Sequence, residues 1–178
     1  MLHIVWNEAE ARRIRREGRN HYVHYLFEML DYAGIAYARW DAAAWVKALP
    51  SGVTLVIGPD RADAAFAEAC RRYCAEGNAL LAVGDAYGLE DVLGVERKER
   101  ITEGWIDWQE APLAAELKSS FHFFEGRAFA PAADTVGWGR LLRRSGAGGT
   151  DPAVVVRRIG SGVAALLAFD LMRTVCLI

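Results

Sequence analysis

Cysteines, long apolar runs and an excess of charge of one sign are all scarce in this 178-residue chain. Cys70, Cys74 and Cys176 are too few and too irregularly placed for a disulfide framework, and the first two fall one turn apart on an expected helix, as reduced structural thiols. The longest apolar run towards the end, Val163 to Phe169, is far short of the roughly 20 residues that cross a bilayer. The first eight residues lack the basic and apolar stretches of a secretory signal, so a cytoplasmic protein is expected. Twenty-one Lys and Arg stand against 23 Asp and Glu, a formal charge of −2, which excludes the basic field of a dedicated nucleic-acid binder. With 53% apolar and 25% charged residues the chain is not of the disordered class, and it is long enough to bury one domain's core. Eighteen of the 21 basic residues are Arg. The cluster Arg12, Arg13, Arg15, Arg16 and Arg19 is broken by Glu17 and preceded by Glu10, as in a solvated helical face or loop rather than an anion site.

Periodicity sets the organisation. Leu2 to Trp6 is a short apolar run that predicts a buried strand. Tyr22, Tyr25, Leu26, Met29, Leu30 and Ala33 recur at helical spacing, with Asn20 as N-cap and Gly34 at the stop. Ile35 to Trp40 predicts a second strand, and Val53 to Ile57 a third, apolar enough to be a parallel strand buried on both faces. After Gly58-Pro59-Asp60, Asp60 is placed to cap a helix carrying Phe66, Ala69, Cys70 and Tyr73, which ends at Gly77. Ala79 to Val83 predicts a fourth strand running into the turn Gly84-Asp85-Ala86-Tyr87-Gly88 and a short helix from Leu89 to Leu93.

Strand, turn and helix thus repeat, which predicts an α/β fold: a flavodoxin-like, doubly wound, mainly parallel sheet with helices on both faces. From about Val95 the pattern changes to Trp-, Phe- and Ile-rich segments expected as β and loop. Arg143 to Asp151, with three glycines, is expected as a mobile loop. Ala153 to Ile159 and Val163 to Phe169, joined by Gly160-Ser161-Gly162, predict a C-terminal β-hairpin. Residues 1–178 therefore form a single domain. The apolar end Val175-Cys176-Leu177-Ile178 fits either the N-terminal module of a longer polypeptide or a terminal strand tucked into the sheet.

Three pieces in order carry a resemblance: Tyr73 to Val83, then Leu89-Glu90-Asp91-Val92-Leu93-Gly94-Val95, then Val154 to Val163 leading to Phe169-Asp170-Leu171. Together they resemble the class I glutamine amidotransferase-like superfamily, in the branch of the β-galactosidase trimerisation domain and of trehalose-utilisation-type proteins. That resemblance implies a nucleophilic cysteine in a G-x-C-x-G elbow after the fourth strand, with His and Glu later. Here the pentapeptide is Gly84 to Gly88, and the cysteine position reads Ala86. An alanine methyl cannot form a thiolate, and the only later histidine, His122, lacks a His-x-Glu pattern, so amidotransferase chemistry is expected to be absent.

In open parallel sheets ligands gather beyond the carboxyl ends of the strands. That rule selects Asn7, Glu8, Asn20, His21, Asp60, Asp85 and Tyr87. Asp85 follows the fourth strand and suits an acid, a base or a sugar-hydroxyl acceptor, against the plainer role of a turn residue bonding its own backbone. Asn20 and His21 begin the expected helix, where a cap and a surface residue are the plainer roles beside binding. Glu103, Trp105, Asp107 and Trp108 combine acids with aromatic platforms able to stack on sugar faces, although strand aromatics usually pack in cores.

The binding set is thus Asn20, His21, Asp60, Asp85, Tyr87 and Trp105, with Asp85, Glu103 and His21 as candidate catalytic groups. No cofactor is expected, because Gly160-Ser161-Gly162 lies in a hairpin with no following helix to hold a phosphate. No metal is expected, because His21 and His24 lack a third ligand. The leading expectation is a non-catalytic module for assembly or ligand binding in a carbohydrate-processing protein, partnered by self-association or further domains. The rival is a stand-alone hydrolase on a sugar-related substrate, with Asp85 and Glu103 or His21 as acid and base. A purely structural subunit is the third.

Overall fold

The computed structural model describes residues 1–58, 62–108, 120–144 and 148–177. The chain runs β1 (Leu2–Trp6), α1 (Glu8–Arg16), α2 (Val23–Tyr32), β2 (Tyr37–Trp40), α3 (Ala42–Ala48), β3 (Val53–Ile57), α4 (Ala64–Ala75), β4 (Ala79–Val83) and α5 (Glu90–Leu93). It continues through β5 (Val95–Asp107), β6 (Phe121–Pro131), β7 (Thr135–Arg143), β8 (Gly148–Ile159), β9 (Gly162–Leu167) and α6 (Leu171–Leu177). Among the described residues the strands form one nine-stranded sheet in the order β2-β1-β3-β4-β9-β8-β7-β5-β6.

From β2 to β9 every ladder is parallel. From β9 to β6 every ladder is antiparallel. The parallel expectation therefore holds for the N-terminal half, and the whole sheet is mixed. The cause is local: the two-residue turn between Ile159 and Gly162 can only reverse the chain, whereas parallel partners need a long crossover.

Alternation along the parallel strands builds two cores. Ile4, Trp6, Ile57 and Val83 pack with Ala11 of α1, Val23, Leu26, Phe27 and Leu30 of α2, and Met172 of α6. Their neighbours Val5, Val56, Leu80 and Ala82 face Trp45 of α3 and Phe66, Cys70, Tyr73 and Cys74 of α4. Helices thus cover both faces of these strands, as a period of two requires when every side chain must leave water. Cys70 and Cys74 are core residues, and burial pushes both thiols up, Cys74 to about 11. The one polar cluster there is satisfied: the Trp45 indole donates to Thr54 Oγ1 at 3.2 Å, and that hydroxyl donates to Tyr73 Oη at 3.0 Å.

Several helix boundaries differ from expectation. The Arg-rich stretch forms α1, capped by Asn7, which accepts the Glu10 N–H at 2.9 Å, and its arginines pair in solvent with Glu8, Glu10 and Glu17. Asn20 does not cap α2, which starts three residues later behind Tyr22 with no side-chain cap. The cap of α4 is Asp63, accepting from Phe66 N–H at 2.8 Å; Asp60 lies outside the described residues. Val175 to Leu177 belong to α6 and not to a terminal strand, while Ile178 lies outside the described residues; α6 is begun by Asp170, whose Oδ1 accepts the Arg173 N–H. Much of the expected loop after Arg143 is the start of β8, and residues 145–147 of it lie outside the described residues. No described helix is long and apolar enough to cross a membrane.

Register shifts in β5 between Arg97 and Arg100, and in the β7–β8 ladder between Arg140 and Leu142, bend the antiparallel half. It curls until β6 meets the end of β9: Gly126 bridges to Phe169, Arg127 N–H donates to Ala168 O, and Asp170 N–H donates to Glu125 O. Only glycine allows this approach, because a Cβ at Gly126 would sit 2.7 Å from Ala168 O. The curl brings β5 and β6 over the carboxyl ends of β3 and β4.

Candidate functional site

Where the curled half overhangs the parallel half lies a cleft of about 430 Å3. Its floor is Ile57-Gly58 after β3 and Val83-Gly84-Asp85 after β4, its near wall is Asn20 to Val23, and its far wall is Arg100, Glu125 to Arg127, Asp170 and Arg173. Gly84 has a left-handed φ of +89°, and an added Cβ would touch Asp170 Cα and Tyr87 Oη at 3.6 Å, so glycine keeps the floor open.

Asp85 is tied down rather than free. Its Oδ1 accepts the Ala86 N–H at 2.7 Å, Arg97 pairs with it at 2.9 Å, and Arg127 Nε lies 3.4 Å from Oδ2. The plain turn role and the cleft position coexist in one residue. Tyr87, also left-handed with φ +53°, turns its hydroxyl inward to donate to Val83 O at 2.6 Å, and burial pushes its ionisation up. Ala86 between them is fully buried.

Glu125 is the third non-glycine residue with positive φ, at +64°, a conformation that costs about 1–2 kcal/mol. Its backbone carbonyl accepts from Asp170, and its carboxylate is held between Arg100 and Arg173. Asp170 is partly desolvated beside it. Burial raises its carboxyl pKa against the opposing pull of the Arg173 N–H and guanidinium. Arg173 also lies 5.8 Å over the Tyr22 ring.

His21 is lowered by burial and then by neighbouring His24, so it stands neutral near pH 7. Its Nδ1 is buried without a hydrogen-bond partner among the described residues, as are Nε of Arg127 and Nε of Arg173 in the opposite wall. His21 and His24 meet edge to face at 6.2 Å, and no group of three metal-ligating side chains occurs among the described residues.

Four expected binding residues therefore share the cleft: Asn20, His21, Asp85 and Tyr87. Glu103 and Trp105 lie elsewhere, on the outer part of β5. Glu103 is 2.9 Å from His122 Nε2 and 3.1 Å from Arg144, and Trp105, 46% exposed, packs its ring on His122. Of the two acid/base pairings considered, the cleft brings together Asp85 and His21 and leaves Glu103 out. Trp108 is core, and Asn7 is spent as a cap.

Five charged residues of the cleft were not selected from sequence: Arg100, Glu125, Arg127, Asp170 and Arg173. Asp170 follows a buried parallel strand just as Asp85 does, so the same strand-end rule finds it once β9 is known to be parallel to β4. Arg100, Glu125 and Arg127 carry no sequence signal, because the curl of a long hairpin delivers them, and Arg173 comes with the first turn of α6. A second cavity, about 520 Å3, opens at the starts of α1, α3 and α4, where the side chains of Asn7, Asp41 and Asp63 are occupied in capping.

No protein-family model and no curated protein matches the sequence. Solved structures do match. A cold-adapted β-galactosidase from Rahnella superposes with a TM-score of 0.73 at 15% identity, covering 95% of this chain and 28% of that one. A putative ThuA-like protein from Bacteroides uniformis gives 0.63 at 12% identity, over 95% of this chain and 80% of that one. A cytoplasmic protein of Salmonella typhimurium gives 0.62 at 16% identity, over 82% and 74%. The chain spans less than a third of the length of the β-galactosidases it matches. At these identities the likeness is one of fold, and this chain folds as a β-galactosidase domain and a ThuA-like protein do.

Proposed function

We propose that the chain is a non-catalytic, glutamine amidotransferase-like module that binds a carbohydrate-related ligand in the cleft between its two half-sheets. The observation that carries this reading is the cleft itself. It sits at the carboxyl ends of β3, β4 and β9 with an elbow whose central residue is the buried Ala86 and whose acid, Asp85, is held by Arg97 and Arg127. An elbow with alanine in place of a nucleophilic cysteine, beside fixed, opposed donors and acceptors, suits recognition better than bond cleavage.

The strand order β2-β1-β3-β4-β9 with helices on both faces supports a doubly wound, flavodoxin-like core. Neighbours among β-galactosidases and ThuA-like proteins support a carbohydrate setting, and the short share of the glycosidase chains supports a module that works within a longer polypeptide or by self-association. Neighbours described as cytoplasmic proteins support a cytoplasmic location. The test is thermal stabilisation by a panel of neutral mono- and disaccharides. A sugar that stabilises the parent and not Asp85→Ala supports the reading, and no stabilisation by any sugar contradicts its ligand half.

A second reading, hydrolysis of a sugar-related substrate, has one observation on its side: Asp170, a carboxyl raised by burial, shares the cleft with His21. Release of product from an aryl-glycoside panel, lost in Asp170→Asn, is what that reading requires.

A further inference from the structure

Resting on the ligand-binding reading above, we propose that Glu125 makes the cleft selective for neutral polyhydroxy ligands over anionic ones such as sugar phosphates and uronates. Three arginines face the cleft, which at first sight favours an anion, yet three acids face them. Arg100 and Arg173 close on Glu125, and Arg127 approaches Asp85. Asp170 lies beside Arg173. Among the groups on the wall, His21 is held neutral by burial. Positive charge is thus matched within the wall before any ligand arrives.

The backbone enforces this match. Glu125 takes a left-handed φ of +64°, and its carbonyl is fixed by the Asp170 N–H, so its carboxylate is aimed at the two guanidinium groups instead of following the alternation of β6. An anion could use Arg100 and Arg173 only by displacing that carboxylate. A vicinal diol needs no such exchange, because each hydroxyl can accept from a guanidinium N–H and donate to a carboxylate oxygen at once. A guanidinium offers five N–H donors, more than a single carboxylate takes up, so the pairs leave donor capacity over. Tyr22, Val23 and Met172 line the same space with apolar surface for the C–H face of a ring. The volume of about 430 Å3 falls within the roughly 300–1,000 Å3 typical of small-molecule sites.

The experiment is calorimetric titration of the full chain with glucose, maltose, glucose 6-phosphate and glucuronate, on the parent, Glu125→Gln and Arg100→Gln. The expected result is that a neutral sugar binds the parent more tightly than either anion. Glu125→Gln, which removes the carboxylate shared by two guanidinium groups, should gain about tenfold in affinity for glucose 6-phosphate, the least that one charge-assisted hydrogen bond supplies. Arg100→Gln should go on excluding the anions. Tighter binding of glucose 6-phosphate or glucuronate than of glucose by the parent overturns the selectivity and leaves the ligand-binding reading standing. Binding of none of the four to the parent overturns both. The parent's own comparison decides the question even where a variant fails to fold.

Discussion

Two side chains in left-handed backbone, Tyr87 and Glu125, and the crowded Gly126 border the cleft. Gly126 is the point where β6 touches β9, and an added methyl there meets Ala168 O at 2.7 Å and Phe123 at 3.0 Å. Gly126→Ala should lower stability by about 2–3 kcal/mol through overpacking and loss of the bridge, measured by urea unfolding. A cost below a few tenths of a kcal/mol would mean that the two half-sheets do not press together here. His21 gives a pH signature. Its folded pKa lies below its ordinary 6.5, so the unfolded chain binds the proton more readily, and stability must fall as pH drops through and below 6.5. Replacing His21 with Gln should flatten that slope. An unchanged slope would assign it to His24, lowered by burial as well.

At the scale of elements, legibility followed how local the determinant was. The apolar runs of β1, β3 and β4 and the glycine turn between β8 and β9 were readable because burial on both faces and a tight reversal leave direct marks in sequence. Helix α3 was not, because seven residues with four alanines around Trp45 have little periodic contrast, and only its Asp41 cap betrays it. The caps of α2 and α4 lie two and three residues beyond the expected Asn20 and Asp60: α2 starts behind Tyr22 with no side-chain cap for a sequence pattern to mark, and for α4 both Asp60 and Asp63 are suitable acceptors. For α4, Asp63→Ala should cost about 1 kcal/mol by removing the acceptor for Phe66 N–H, read as a shift in denaturant midpoint without a change in slope. A neutral substitution would show the first turn to be held by packing alone.

At the scale of the molecule, the cleft exists because two half-sheets of opposite sense share β9. The parallel half offers strand ends, and the antiparallel half, bent by register shifts, overhangs them with Arg100, Glu125 and Arg127. Sequence could list Asp85, Tyr87, Asn20 and His21 because the first two stand just after a strand of the parallel half and the last two just ahead of a helix. It could not pair them with Glu125 or Arg173, nor see that Glu103 and Trp105 lie outside, because the fold of the long β5–β6 hairpin back over β9 is set by contacts far apart in the chain. The most direct measurement is ligand-induced thermal stabilisation by neutral saccharides on three proteins side by side: the parent, Asp85→Ala in the cleft, and Trp105→Ala on the outer face of β5. The account predicts that a stabilising sugar raises the melting temperature of the parent and of Trp105→Ala alike and leaves Asp85→Ala unmoved. Loss of the effect in Trp105→Ala with Asp85→Ala behaving as the parent would place the ligand on the outer face and contradict the cleft as the site.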